Sequence, residues 1–188
     1  MGPITKFWLC SLLPGRSVSD PSFKTLFSEI LQLCSSYTNP DPGTPEMHVL
    51  YQSVADESQL MMITGYQSQE LNTEADAVYA TKYLPEMFKF VKHVWLRQLA
   101  LDIQVLPLDK ELIVVTCGAE DGTQQSGVGG WDVWPATSQA RVMKNASQEA
   151  RKGDSTERVW VQVSEASEAV IGDNNQTAQF VLKKIVGR

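Results

Sequence analysis

Six apolar residues, Phe23, Leu26, Phe27, Ile30, Leu31 and Cys34, recur at the spacing of one face of an α-helix. Both ends of that helix are marked. Asp20-Pro21 supplies a capping carboxylate and a proline at the first helical position. The run Asn39-Pro40-Asp41-Pro42-Gly43-Thr44-Pro45 cannot continue it. The chain on either side reads as strand. Residues 4 to 13 are β-rich and stop at Pro14-Gly15. Residues 48 to 54 and 59 to 66 form two further strands, joined by the short hydrophilic link Ala55-Asp56-Glu57-Ser58 in the manner of an antiparallel hairpin.

A second helix is expected from Asn72 or Thr73, with Glu74 and Asp76 suiting its positive end. Its apolar residues run from Ala77 and Val78 through Leu84, Met87, Phe88, Val91 and Val94 to Trp95, and Pro85 should kink or split it. Leu99 to Leu108 is read as a fourth strand. The order β-α-β-β-α-β is the ferredoxin-like arrangement. The remainder is a shorter echo. Glu111 to Cys117 is a strand, and Gly118 to Gly130 a Gly- and Gln-rich loop. Residues 137 to 152 suit a polar helix, and Val159 to Ser164 and Gln179 to Val186 two more strands. The expected class is α+β: a ferredoxin-like unit over residues 1–108 and a degenerate second half, a partial repeat, over residues 109–188.

Charge and cysteines narrow the function classes. Lysine and arginine total 16 against 22 acidic residues, a net charge of −6, with no basic cluster. Such a chain lacks the cationic face that phosphate contacts require, so nucleic acid is not an expected partner. Cys10, Cys34 and Cys117 show neither metal nor disulfide spacing and read as reduced thiols in a cytoplasmic protein. The stretch Phe7 to Leu13 follows Lys6 but is too short and too soon interrupted for a secretory core. No run approaches the length of a membrane span.

One stretch resembles a known family. Val49-Leu50-Tyr51-Gln52-Ser53-Val54-Ala55-Asp56-Glu57-Ser58-Gln59-Leu60 leads into Ile63-Thr64-Gly65-Tyr66-Gln67-Ser68. It is similar to the hairpin of antibiotic-biosynthesis-monooxygenase-like (ABM-like) proteins, with their acidic D-x-x turn and a W-x-S ending before the second helix. Tyr66 stands where that family usually has Trp, and Ser68 where it has Ser. The segments Tyr83-Leu84-Pro85 and Phe88-Lys89-Phe90 fit the same pattern. The resemblance spans about residues 3 to 108, and the chain's length and low charge look like fungal members. It implies a dimeric α+β barrel, in which two ferredoxin-like units join their sheets between chains or within one. It also implies a ligand pocket between sheet and helices. Family members include cofactor-free oxygenases of phenolic polyketides, decarboxylases, cyclases and haem-degrading enzymes.

Candidate chemistry rests on few residues. His93, expected on the second helix, is either a general acid/base or an exposed helix histidine. His48 is a base at a pocket rim or a surface residue opening its strand. Tyr51, Tyr66 and Tyr79 suit hydrogen bonding to a phenolate or enolate, or else core packing. Trp8 and Trp95 suit stacking on a flat ligand, and Phe88 joins them as an apolar contact. Trp131 and Trp134, in a Gly- and Pro-flanked loop, either cover a pocket mouth or plug a sheet edge. There is no dinucleotide or P-loop fingerprint, no H-x-x-x-H, H-E-x-x-H or C-x-x-C, and no G-x-S-x-G. Neither cofactor nor metal is expected. The expected function is a cofactor-free enzyme of secondary metabolism. It would oxygenate, decarboxylate, or cyclise or isomerise a polyketide-like or terpenoid-like substrate, with a homodimer as a further possibility. The alternative is a non-catalytic ligand-binding or stress-associated dimeric barrel.

Overall fold

The computed structural model describes residues 2–38, 47–118, 127–133, 159–166 and 177–187. Strand β1 (Ile4–Leu12) leads into helix α1 (Pro21–Thr38), then β2 (Val49–Ser53) and β3 (Gln59–Tyr66). Helix α1 behaves as its spacing requires: Phe23, Phe27, Ile30, Leu31 and Cys34 are buried against the sheet. Asp20 caps it by accepting from the Ser22 amide at 2.8 Å.

The next segment differs from expectation. Helix α2 (Gln69–Lys82) starts earlier than Asn72, because Ser68 caps it by accepting from the Leu71 amide. Pro85 does split the helical run, leaving a single turn, α3 (Leu84–Met87). The fourth strand, β4, is then Val91–Leu99, not 99–108. His93, Val94 and Trp95 therefore sit on a strand instead of a helix. The cause is a β-bulge. Leu9 of β1 pairs with Trp95 and Cys10 with His93, so Val94 has no register partner. The extra residue breaks the period of two and leaves apolar residues at intervals that mimic a helix. After β4, Asp102 caps a 3-10 turn (Ile103–Val105). Ile103, Leu106 and Leu108 are buried in the inner core, so 100–108 is a connector.

Four more strands follow: β5 (Leu112–Gly118), β6 (Val128–Trp131), β7 (Trp160–Glu165) and β8 (Thr177–Gly187). Part of the expected 118–130 loop is thus strand. The helix expected over 137–152 lies outside the described residues. The eight strands of the described residues form one antiparallel sheet, in the order β4-β1-β3-β2-β8-β5-β7-β6. Its last four members repeat the order of the first four, since β8, β5, β7 and β6 are the fourth, first, third and second strands of their half. The edges then meet. Leu99 bridges Asp132, and the Val133 amide donates to the Gln98 carbonyl at 2.7 Å.

The fold is α+β: a ferredoxin-like unit and a degenerate second half, in a barrel of the dimeric α+β type. It has two cores. The inner one draws Phe7, Leu9, Met61 and Ile63 from the first half and Ile113, Val115, Val161 and Leu182 from the second. The outer one lies between the sheet and α1 and α2, and holds Trp8, Cys10, Leu60, Met62, Leu96 and the α1 stripe.

Candidate functional site

Alternation along β1 places Lys6, Trp8 and Cys10 on the helix-facing side and Phe7 and Leu9 inside the barrel. A lysine on an otherwise apolar face needs a charge partner. Helix α2 supplies it: Lys6 Nζ lies 2.6 and 2.9 Å from the two carboxylate oxygens of Asp76. The same ammonium stands 5.9 Å from the centre of the Tyr66 ring. The stripe of α2 that meets the sheet is accordingly not apolar. It carries Asn72, Ala75, Asp76 and Tyr79.

This pair lies in a cleft between α2 and strands β1, β3 and β4. The cleft encloses about 620 Å³, open solvent at its mouth included. Trp8, Met62, Leu84, Leu96 and Ala80 form apolar wall, while Lys6, Asp76, Thr64, Tyr66, Tyr79 and Cys34 bring polar atoms to it. Burial pushes the Tyr66 phenol well above its ordinary range, and the Cys34 thiol and Asp76 carboxylate act in the same direction. The Cys34 thiol is itself pushed up to about 11 by burial, against the opposing pull of its hydrogen bond to Tyr66. Tyr79 donates its hydroxyl to Met87 Sδ at 2.8 Å. All three groups are therefore held protonated, as donors or neutral contacts.

Of the residues singled out in the sequence, Trp8, Tyr66 and Tyr79 come together in this cleft. His93 stands behind it: the Trp8 indole N–H donates to His93 Nδ1 at 2.9 Å, and burial pushes the imidazole down to about 4. His48 is only 1% exposed, at the far end of α1, with Nε2 2.9 Å from Thr38 Oγ1. Thr38 in turn donates to the Cys34 or the Gly65 carbonyl. Tyr51 belongs to the inner core and donates to the carbonyls of Leu108 and Lys110. Trp95 packs edge-on against Phe180 on that inner side, and Phe88 packs on the outer core away from the cleft. Trp131 meets Trp160 at 5.4 Å at the end of β6. Trp134 lies outside the described residues.

Sequence reasoning passed over Lys6 and Asp76. The signal was present as a charged residue on the Trp8–Cys10 face of a strand, and as an acid one position from the buried Ala75 on α2.

Haem is the one prosthetic group the family resemblance admits, and the residues do not fit it. Neither histidine lines the cleft. The Nδ1 lone pair of His93 is taken by Trp8, so its proton sits on Nε2 and neither nitrogen is open to iron. No group of three or more His, Cys, Asp or Glu among the described residues is arranged to hold a metal ion. No helix among the described residues is long and apolar enough to cross a membrane.

No protein-family model matches the chain, and no curated protein matches it either. Several solved structures share its course. A candidate chlorite dismutase is 8% identical, with a TM-score of 0.46 over 99% of this chain and 96% of that one. A candidate monooxygenase from Lactobacillus acidophilus is 9% identical, with a TM-score of 0.47 over 98% and 94%. A haem-binding protein from Thermus thermophilus is 15% identical, with a TM-score of 0.47 over 98% and 92%. Overlaps this loose carry no activity, substrate or cofactor over to this chain.

Proposed function

We propose that this protein takes a small, largely apolar molecule with an ionisable oxygen into the cleft beneath α2, and acts on it by proton transfer. The carrying observation is the Lys6–Asp76 pair set into an apolar wall, with side chains 10% and 30% exposed. Desolvating two charges costs more than such a pair usually returns in stability. Both members line the cleft, so the pair is placed to act on what the cleft takes in. Asp76, the more accessible partner, is the group that takes or gives a proton. Lys6 orients it and favours an oxyanion nearby, and the Tyr66 phenol is a further donor. Trp8 and Leu96 give a flat ring system an apolar surface to lie on.

A phenolic polyketide-like or terpenoid-like molecule of secondary metabolism has this make-up. Among oxygenation, decarboxylation and cyclisation or isomerisation, the last draws most directly on these groups, because a shaped wall with one proton carrier is what ring closure requires. We further propose that residues 109–188 act as the partial second repeat of the same barrel. In dimeric relatives a second copy would occupy the edges of β2 and β4. Here β8 takes the first, and Asp132 and Val133 take the second.

The test is a panel of hydroxynaphthoic acids and related phenols for binding, followed by tryptophan fluorescence, and of enolisable bicyclic ketones for turnover, followed by exchange of the proton next to the carbonyl with solvent deuterium. Binding is expected in the native protein and is expected to be lost in Ala80→Trp, which fills the cleft. Asp76→Asn should bind but turn over roughly 100-fold more slowly. A panel that binds Ala80→Trp as well as it binds the native protein sinks the assignment of the cleft. Binding without any turnover in the native protein favours the alternative, a ligand-binding barrel without catalysis.

A further inference from the structure

We infer that His93 is a positioning residue for the cleft: its Nδ1 holds the Trp8 indole in place as the wall against which a flat ligand lies. This rests on the cleft being the ligand site. It depends on the bulge at Val94. Leu96, His93 and Val91 all face the helices, although Leu96 and His93 are three positions apart, an offset that plain alternation would put on opposite faces. In an unbroken strand His93 would point into the barrel and Val94 would stand beneath Trp8. The added residue re-aims His93 to the side where Trp8 lies, one ladder step from its own register partner Cys10.

The chemistry of the contact runs one way. An indole N–H only donates, so Nδ1 must be the acceptor and the ring must be neutral with its proton on Nε2. Trp8 is 4% exposed and His93 8%. A buried indole N–H without an acceptor would be costly, and the ring would swing to find another. Trp8 has the apolar Leu96 as its cross-strand neighbour on β4, and Leu96 offers no acceptor side chain. The width of the cleft at that wall is thus set by an acceptor lying behind it.

The experiment compares His93→Leu, which removes the acceptor, with His93→Gln, whose amide oxygen restores one. Two readouts are taken: exchange of the Trp8 indole proton by NMR in the ligand-free protein, and affinity for 1-hydroxy-2-naphthoic acid. His93→Leu should speed indole exchange and weaken binding about tenfold, the worth of one buried hydrogen bond. His93→Gln should recover most of both. Should His93→Leu not fold, Trp8→Phe keeps an aromatic wall but deletes the N–H. On that background His93→Gln and His93 should bind the probe equally. Leucine and glutamine variants that behave alike, with the probe still binding the native protein, overturn the positioning role alone. Failure of the probe and the related phenols to bind the native protein removes the ligand reading of the cleft, and this role with it.

Discussion

His48 and His93 are both held neutral by burial, each pushed down to about 4. For His48 the consequence is one of stability. Its proton on Nε2 faces Thr38, whose own hydroxyl proton is given to a carbonyl, and Nδ1 is buried without a partner. An unfolded chain binds a proton at this histidine near 6.5. Between 6.5 and about 4 the unfolded state therefore holds the extra proton, and the folded state loses stability as pH falls through that window. The loss for a group this buried is on the order of 3 kcal/mol. His48→Gln, which keeps a donor toward Thr38 but cannot titrate, should show a clearly smaller drop between pH 7 and pH 4. Urea denaturation at the two pH values measures it, and an equal drop in both proteins would refute the assignment. Neither histidine lines the cleft, which is why the proposed acid/base role falls to Asp76.

Elements with one dominant period were legible in the sequence. Helix α1 was readable because six apolar residues follow one face between a cap and a proline-rich stop. Strands β1, β2 and β3 were readable because short apolar runs end at turn residues. Helix α2 and its break at Pro85 were legible too, but its start and the strand β4 beyond it were not, for two physical reasons. The inner stripe of α2 holds Asn72 and Asp76, so its amphipathic signal is weak. The bulge in β4 erases the alternation that marks a strand. Half the site was visible for the same reason: Trp8, Tyr66 and Tyr79 are aromatic and conspicuous, whereas Lys6 and Asp76 matter only once strand and helix are laid together. Gly65 shows how closely the elements fit. A Cβ there would fall on the Ile103 side chain, so Gly65→Ala must push the 3-10 turn off the end of β3. It should destabilise by about 1–3 kcal/mol, as overpacking does, measurable as a fall in urea midpoint. An unchanged midpoint would show that the 100–108 connector is not seated on β3.

At the scale of the whole molecule one acid reinforces the backbone seam between the two ends of the sheet. Asp132 pairs with Arg97 at 3.2 Å, with side chains 6% and 10% exposed. It also accepts from the Gln98 amide at 3.0 Å. Replacing it by alanine leaves a buried guanidinium without its counter-charge, a change worth about 3 kcal/mol or more. Asp132→Asn keeps an acceptor for Gln98 and should cost less. Amide exchange at Gln98 should accelerate in Asp132→Ala well before exchange at Leu9 or Met61 does. Simultaneous acceleration at all three would mean that the seam has no separate opening. The other junction, β2 with β8, carries a different consequence. Tyr51 pairs with Lys184, so the middle of the sheet joins segments more than half the chain apart. On the ribosome, the seven other described strands emerge before β8 does. Until β8 arrives, β2 on one side and β5 on the other each expose a bare edge, and the first unit waits with its inner face uncovered. The nascent chain is thus most exposed to wrong pairing, and most in need of a chaperone's shelter, just before its last described strand is made.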